Sequence, residues 1–168
     1  NIHDYLYKKN ILYTITNTTP VFLTKISQQT GEKSPLFQLP YADDYELIDI
    51  IKNQVLIYSQ SAKILYLFTL DTEEFNNTSH LIKNVNNWEI SQNEKILLLH
   101  NDWEIWIYDI ENRKSELITR VSSPINKTSW YSDNSYIVAN NTNEIKIIEL
   151  DNRDFRNIAN IWKSDLIE

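Results

Sequence analysis

The chain contains no cysteine, no methionine and a single glycine, and each scarcity removes a class of chemistry. Without cysteine there is no disulfide, no thiolate metal ligand and no thiol nucleophile. With Gly31 alone, neither a phosphate-cradling loop nor a dinucleotide fingerprint can be assembled, because both need several residues that lack a Cβ. Cofactors are therefore not expected. No apolar run approaches the roughly 20 residues that cross a bilayer as a helix. The opening "NIHDYLYKKN" carries neither a signal-peptide pattern nor an initiator Met. The segment is not expected to insert into a membrane, and it reads as part of something longer. Basic residues are also outnumbered, 16 against 23 acidic, and a net charge of -7 disfavours binding to a phosphate backbone, so nucleic acid is not an expected partner.

What is present suits a folded domain. The chain has 168 residues, 42% of them apolar and 12% aromatic, enough to build a core without covalent help. Its main feature is a repeat. The stretches "ILYTITNTTPVFLTKIS" (11–27), "VLIYSQSAKILYLFTLD" (55–71), "KILLLHNDWEIWIYDIE" (95–111) and "SYIVANNTNEIKIIELD" (135–151) align without a gap. Each reads as an apolar run, a polar turn and a second apolar run, the pattern of a strand hairpin. In the second run Leu23, Leu67, Ile107 and Ile147 share one column. The intervening column holds Phe22, Tyr66, Trp106 and Lys146, so both faces of the sheet are largely apolar. Such a sheet needs a neighbour on each side.

A short strand precedes each hairpin, ending near Leu6, Ile50, Ile90 or Trp130. Another follows it, in "SPLFQL", "SHLIKNV", "SELITRV" and "FRNIANI". Four strands per unit, at about 40 residues, make the blade of a β-propeller. The expected architecture is all-β, with four-stranded antiparallel blades at approximately 2–40, 45–85, 86–121 and 126–161, and with 162–168 opening a further blade or forming a tail. The tail "IWKSDLIE" has the Ile, Trp, Ser and Asp of a blade opening, which favours an arc of a larger ring over a closed four-bladed one. An arc exposes blade edges, so self-association is expected, for example as two arcs in one ring.

The segment "SWYSDNSYIVANNTNEIKIIELDNRDFRNI" resembles the repeats of TolB-like and WD-like propellers. Trp130, Ser132, Asp133 and Asn134 match their Trp-Ser-x-Asp-Gly turn, with Asn134 where the family favours Gly, and Tyr108-Asp109 falls near their Trp-Asp pair. No Asp-His network of the WD type is matched. The closing "ELDNRDFRNIANI" is similar to propellers that follow PEGA domains in bacterial surface proteins, and that resemblance implies a location outside the cytoplasm.

No catalytic constellation emerges. His3, His80 and His100 lack metal-ligand spacing and read as solvated or capping residues. No Gly-x-Ser-x-Gly elbow appears. Asp43-Asp44, Glu73-Glu74, Asp102, Asp133 and Asp151 fall in predicted turns, where an Asp commonly bonds nearby backbone. With one glycine, left-handed turn positions are expected to use Asn17, Asn101, Asn140 and Asn141. The triplets at Asn17, Asn76, Asn77, Asn126 and Asn140 fit a glycosylation signal but arise readily by chance in so Asn-rich a chain.

Trp88, Trp106, Trp130 and Trp162 occupy strand positions and are expected in the core, whereas Trp103 sits in a hairpin turn whose equivalents are polar. In a propeller that turn shares one end of the ring with the connections between blades. The candidate contact surface is accordingly Trp103 and Asp102 with Tyr41, Asp43, Asn87 and Asn126. The expected role is a noncatalytic scaffold or recognition module for a protein partner. A glycan- or small-ligand-binding propeller is the alternative, and an enzyme completed by further blades is less favoured.

Overall fold

The computed structural model describes residues 2–16, 18–40, 44–70, 78–132, 134–151 and 153–163. It is all-β. Four antiparallel four-stranded sheets follow one another in sequence order, each a simple meander. Sheet 1 is β1 (Ile2–Lys8), β2 (Ile11–Thr16), β3 (Phe22–Ser27) and β4 (Lys33–Gln38). Sheet 2 is β5 (Tyr45–Ile51), β6 (Gln54–Ser59), β7 (Ile64–Thr69) and β8 (Thr78–Lys83). Sheet 3 is β9 (Asn87–Ile90), β10 (Ile96–His100), β11 (Glu104–Asp109) and β12 (Lys114–Arg120). Sheet 4 is β13 (Ile125–Tyr131), β14 (Tyr136–Asn141), β15 (Glu144–Glu149) and β16 (Ile158–Lys163). The chain falls into two compact units, Asn1–Asn84 and Val85–Glu168, each with two of these sheets.

The ladders revise the gap-free alignment. That alignment sets Tyr13 in the column of Ile57, yet Lys8 pairs with Ile11 and Ile51 with Gln54, so Tyr13 corresponds structurally to Leu56. One residue of register turns a side chain to the opposite face. The reason is that turn lengths vary between repeats: the β2–β3 connection spans residues 17–21, the β6–β7 connection 60–63, and the β10–β11 connection 101–103. Only sheets 3 and 4 keep a constant spacing, with Leu98 opposite Ile107 and Val138 opposite Ile147.

With register corrected, the sheets of each unit stack front to rear. In the first unit Tyr13, Ile15, Leu23 and Phe37 of sheet 1 meet Leu47, Val55, Ile57 and Phe68 of sheet 2 in one core. Leu56, Leu65 and Leu67 lie on the other face of β6 and β7 and are equally buried. In the second unit Leu98, Ile105 and Ile118 of sheet 3 meet Ile137, Ala139 and Ile148 of sheet 4. Between the sheets of a unit, backbone contacts centre on a first strand, β5 with β1 and β2 in the first unit and β13 with β9 and β10 in the second.

Acidic side chains hold those first strands together. Asp4 Oδ2 accepts a bond from Leu47 N at 2.7 Å, beside the bulge between Leu47 and Asp49, and Lys8 Nζ pairs with Asp49 at 2.7 Å. Glu89 repeats the device in the second unit, its carboxylate accepting from Trp130 N at 3.2 Å while its carbonyl accepts from the Trp130 indole at 3.2 Å. Both acids satisfy N–H groups on the unpaired edge of a first strand, which would otherwise be open to another chain.

The turns depart from expectation. Asn101, Asn140 and Asn141 do not take left-handed backbone, and Asn17 lies outside the described residues; among the described residues the positive-φ positions outside glycine are Lys9, Asn10, Lys52, Lys63, Asn84, Glu94, Arg113, Ser132, Asn134 and Phe155. Asn101 and Asn141 act through their side chains instead. Asn101 Oδ1 accepts from Trp103 N at 2.8 Å and Glu104 N at 2.7 Å, and Asn141 Oδ1 accepts from Asn143 N at 3.0 Å and Glu144 N at 2.9 Å. An Asx turn closes the hairpin without the steric cost of positive φ. Asn134, in the position where the resembling repeats favour Gly, does have φ +65°.

Trp162 is a second correction. It pairs with Ile145 inside β16, so it ends sheet 4 rather than opening another sheet, and it is 51% exposed rather than core. The reason is positional: every residue of β16 is exposed on this outermost strand. Trp88, Trp106 and Trp130 are half-buried, and Trp130 packs against the sheet 3–sheet 4 core.

Candidate functional site

The turn at 101–103 organises one end of the second unit. The side chain of Asn101 fixes its backbone, and its own carbonyls reach outward to neighbouring connections: Trp103 O accepts from Val121 N at 2.9 Å and Asp102 O from Ile125 N at 2.8 Å. Asp102 Oδ1 accepts from Asn86 Nδ2 at 2.5 Å, and Asn86 N donates to His100 O at 2.8 Å. The segment entering sheet 3 and the connection leaving it are thus tied to one hairpin turn. Asn87 opens β9 next to Asn86, and Asn126 follows Ile125; both are exposed. Trp103, 49% exposed, stands on this braced base. Of the six residues expected at the contact surface, Trp103, Asp102, Asn87 and Asn126 belong to this end of the unit, and Tyr41 and Asp43 lie outside the described residues.

The corresponding part of the first unit is an acidic hollow of about 380 Å³ lined by His3, Asp4, Asp44, Tyr45, Glu46 and Gln60. Two of its three carboxylates, Asp4 and Asp44, are occupied by structure. Asp4 caps Tyr5 N and Leu47 N, and Asp44 accepts from the Ser59 and Ser61 hydroxyls at 3.0 Å each and from Ser61 N. Burial acts to raise the Asp44 carboxyl, but the bonds from Ser61 and Ser59 outweigh it and hold the group below the usual carboxylate range. Asp44 therefore works as a turn cap, as its sequence context suggests. Among the described residues no cluster of three His, Asp or Glu side chains is arranged to hold a metal ion.

His100, expected to be solvated or capping, is neither. It ends β10 at 3% exposure, with Nδ1 3.0 Å from Asn101 O and Nε2 buried without a partner. Burial pushes its pKa below the ordinary 6.5, while the contact with Asn101 and the charge of Asp102 act in the opposite direction. A depressed folded-state pKa means that the unfolded chain takes up the proton first. Stability is complete above about pH 6.5 and falls as pH drops through the range between the unfolded and folded values. Thermal melts are expected to show a decline as pH falls below about 6.5 that His100→Gln flattens; an unchanged slope in that variant would assign the decline to other groups.

The signal that could have marked His100 is its place as last residue of the run "KILLLH", on a strand whose other residues are apolar. Arg156, another residue the sequence did not single out, donates to the carbonyls of Ile118 and Leu150.

No family model matches the chain, and no curated protein is similar to it. Among solved structures it is similar to a functionally unknown protein from Desulfotomaculum acetoxidans, at 13% identity and a TM-score of 0.53. The alignment covers 96% of this chain and 55% of that one, so the chain spans about half the length of its structural neighbour, and the likeness is one of fold.

Proposed function

We propose that the sheets are blades of a β-propeller, an arc of a larger ring, and that the chain is a noncatalytic recognition module binding a protein through the end that carries Trp103. Two features support the propeller reading: front-to-rear stacking within each unit, and backbone contact centred on first strands. One observation carries the functional reading. Trp103 holds a large aromatic surface half in solvent on a turn whose backbone is fixed by hydrogen bonds through Asn101, Asp102 and Trp103, so little loop entropy is lost on binding.

The test compares wild type, Trp103→Ser and Phe155→Ser as baits in extract of the source cells, with a panel of cell-surface glycans probed in parallel by tryptophan fluorescence. A protein retained by wild type and Phe155→Ser but lost with Trp103→Ser supports the proposal. Retention by all three baits contradicts it. Fluorescence changes with glycans that vanish in Trp103→Ser would replace the protein partner by a sugar.

A further inference from the structure

Within their units, the front of sheet 4 and the rear of sheet 1 have no covering sheet. On sheet 4 the face opposite the core carries Tyr131, Tyr136, Val138, Ile145, Ile147 and Trp162, as the pairings Tyr131–Tyr136, Val138–Ile147 and Ile145–Trp162 require. Tyr131 is 52% exposed, Tyr136 36% and Trp162 51%. On sheet 1 the face opposite the core carries Tyr5, Tyr7, Leu12, Phe22, Thr24 and Ile26, through the pairings Tyr7–Leu12, Leu12–Ile26 and Thr14–Thr24. Tyr5 is 68% exposed and Tyr7 53%.

Register identifies what each face is made for. Val138 and Ile147 stand where sheet 3 has Leu98 and Ile107, the front face that sheet 4 covers within the second unit. Leu12 and Ile26 stand where sheet 2 has Val55 and Phe68, the rear face that covers sheet 1 within the first unit. One chain therefore presents an unused front and an unused rear of the contact it already makes internally in each unit. Their margins carry opposite charges, Glu149 beside Tyr136 on the front and Lys33 beside Ile26 on the rear.

We infer that the occupant of each face is a second copy of this chain, the front of sheet 4 in one copy receiving the rear of sheet 1 in the other. The contact is heterologous: the surface that gives differs from the surface that receives. It does not depend on Trp103.

Sedimentation of the wild-type chain and of Tyr7→Glu and Trp162→Glu, each with its far-ultraviolet circular dichroism checked, tests this. Both substitutions are at exposed positions, and Tyr5→Glu and Tyr131→Glu serve as replacements should either lose its β signal. At about 100 µM, enough to populate contacts of modest affinity, wild type is expected to sediment at twice the chain mass or more. Each variant alone is expected at the chain mass, because either half is essential. An equimolar mixture of the two is expected to regain a pair, since each supplies the half that the other lacks. Trp103→Ser should behave as wild type. A monomeric wild type overturns the inference, and so does continued association of Tyr7→Glu alone, which would mean that like faces pair.

Discussion

Phe68→Ala is expected to destabilise the unit Asn1–Asn84 by roughly 3 to 5 kcal/mol, read as a lowered midpoint in chemical denaturation. Phe68 is 1% exposed on the rear of sheet 2, stacked on Phe37 of sheet 1 with ring centroids 5.0 Å apart and on Tyr66 at 5.9 Å. Truncation removes the apolar surface and leaves a cavity between two sheets whose backbones are held by their ladders and cannot collapse to fill it. Phe68→Leu keeps most of the volume and should cost about 1 to 1.5 kcal/mol. If Phe68→Ala cost no more than the Leu variant, the stacked core between these sheets would be wrong.

Arg156→Ala is expected to cost about 2 to 3 kcal/mol, more than a surface arginine would. Its guanidinium donates to Ile118 O at 3.1 Å, to Leu150 O at 3.1 Å and to Glu116 Oε1 at 2.7 Å, so it joins the outer strand of sheet 3 to the loop that follows β15. The side chain is only 12% exposed, whereas that of Glu116 is 47% exposed. Most of the loss therefore comes from two carbonyls left without a donor, and the ion pair contributes little. Arg156→Lys should recover part of the loss, because an ammonium cannot span the same fork of acceptors. Glu116→Gln should cost under about 1 kcal/mol; a larger effect would move the weight to the ion pair.

Strand positions were legible in the sequence because apolar alternation and polar turns are local signals. Every one of the four sheets is a meander of the strands that the repeat implies. Register between repeats was not legible, because a turn longer or shorter by one residue shifts a strand without altering its pattern. Tyr13 and Ile57 fell into one column for that reason, although the folded chain sets them on opposite faces of their sheets. Turn chemistry was half legible. Asn101 and Asn141 do close their hairpins, but by accepting backbone N–H groups, while positive φ falls on Lys9, Lys52 and Lys63.

Burial at the margins depends on what lies across a face, which one strand cannot report. His100 looked polar and is buried at the end of β10, and Trp162 looked like core and is exposed on the outermost strand of sheet 4. The turn at Trp103 was found from the repeat alone, by its departure from a polar column. Its bracing by Asn86, Val121 and Ile125 comes from partners up to 23 residues along the chain.

Front-to-rear stacking is the claim on which both the propeller reading and the pairing of copies rest, and through-space proton contacts from the Phe37 ring test it most directly. The ring is predicted to show cross-peaks to the Phe68 ring and none to the methyls of Leu56 or Leu67, which point away from sheet 1. Cross-peaks to those two leucines in place of Phe68 would mean that sheet 2 presents its other face, and the stacking described for the first unit would be contradicted.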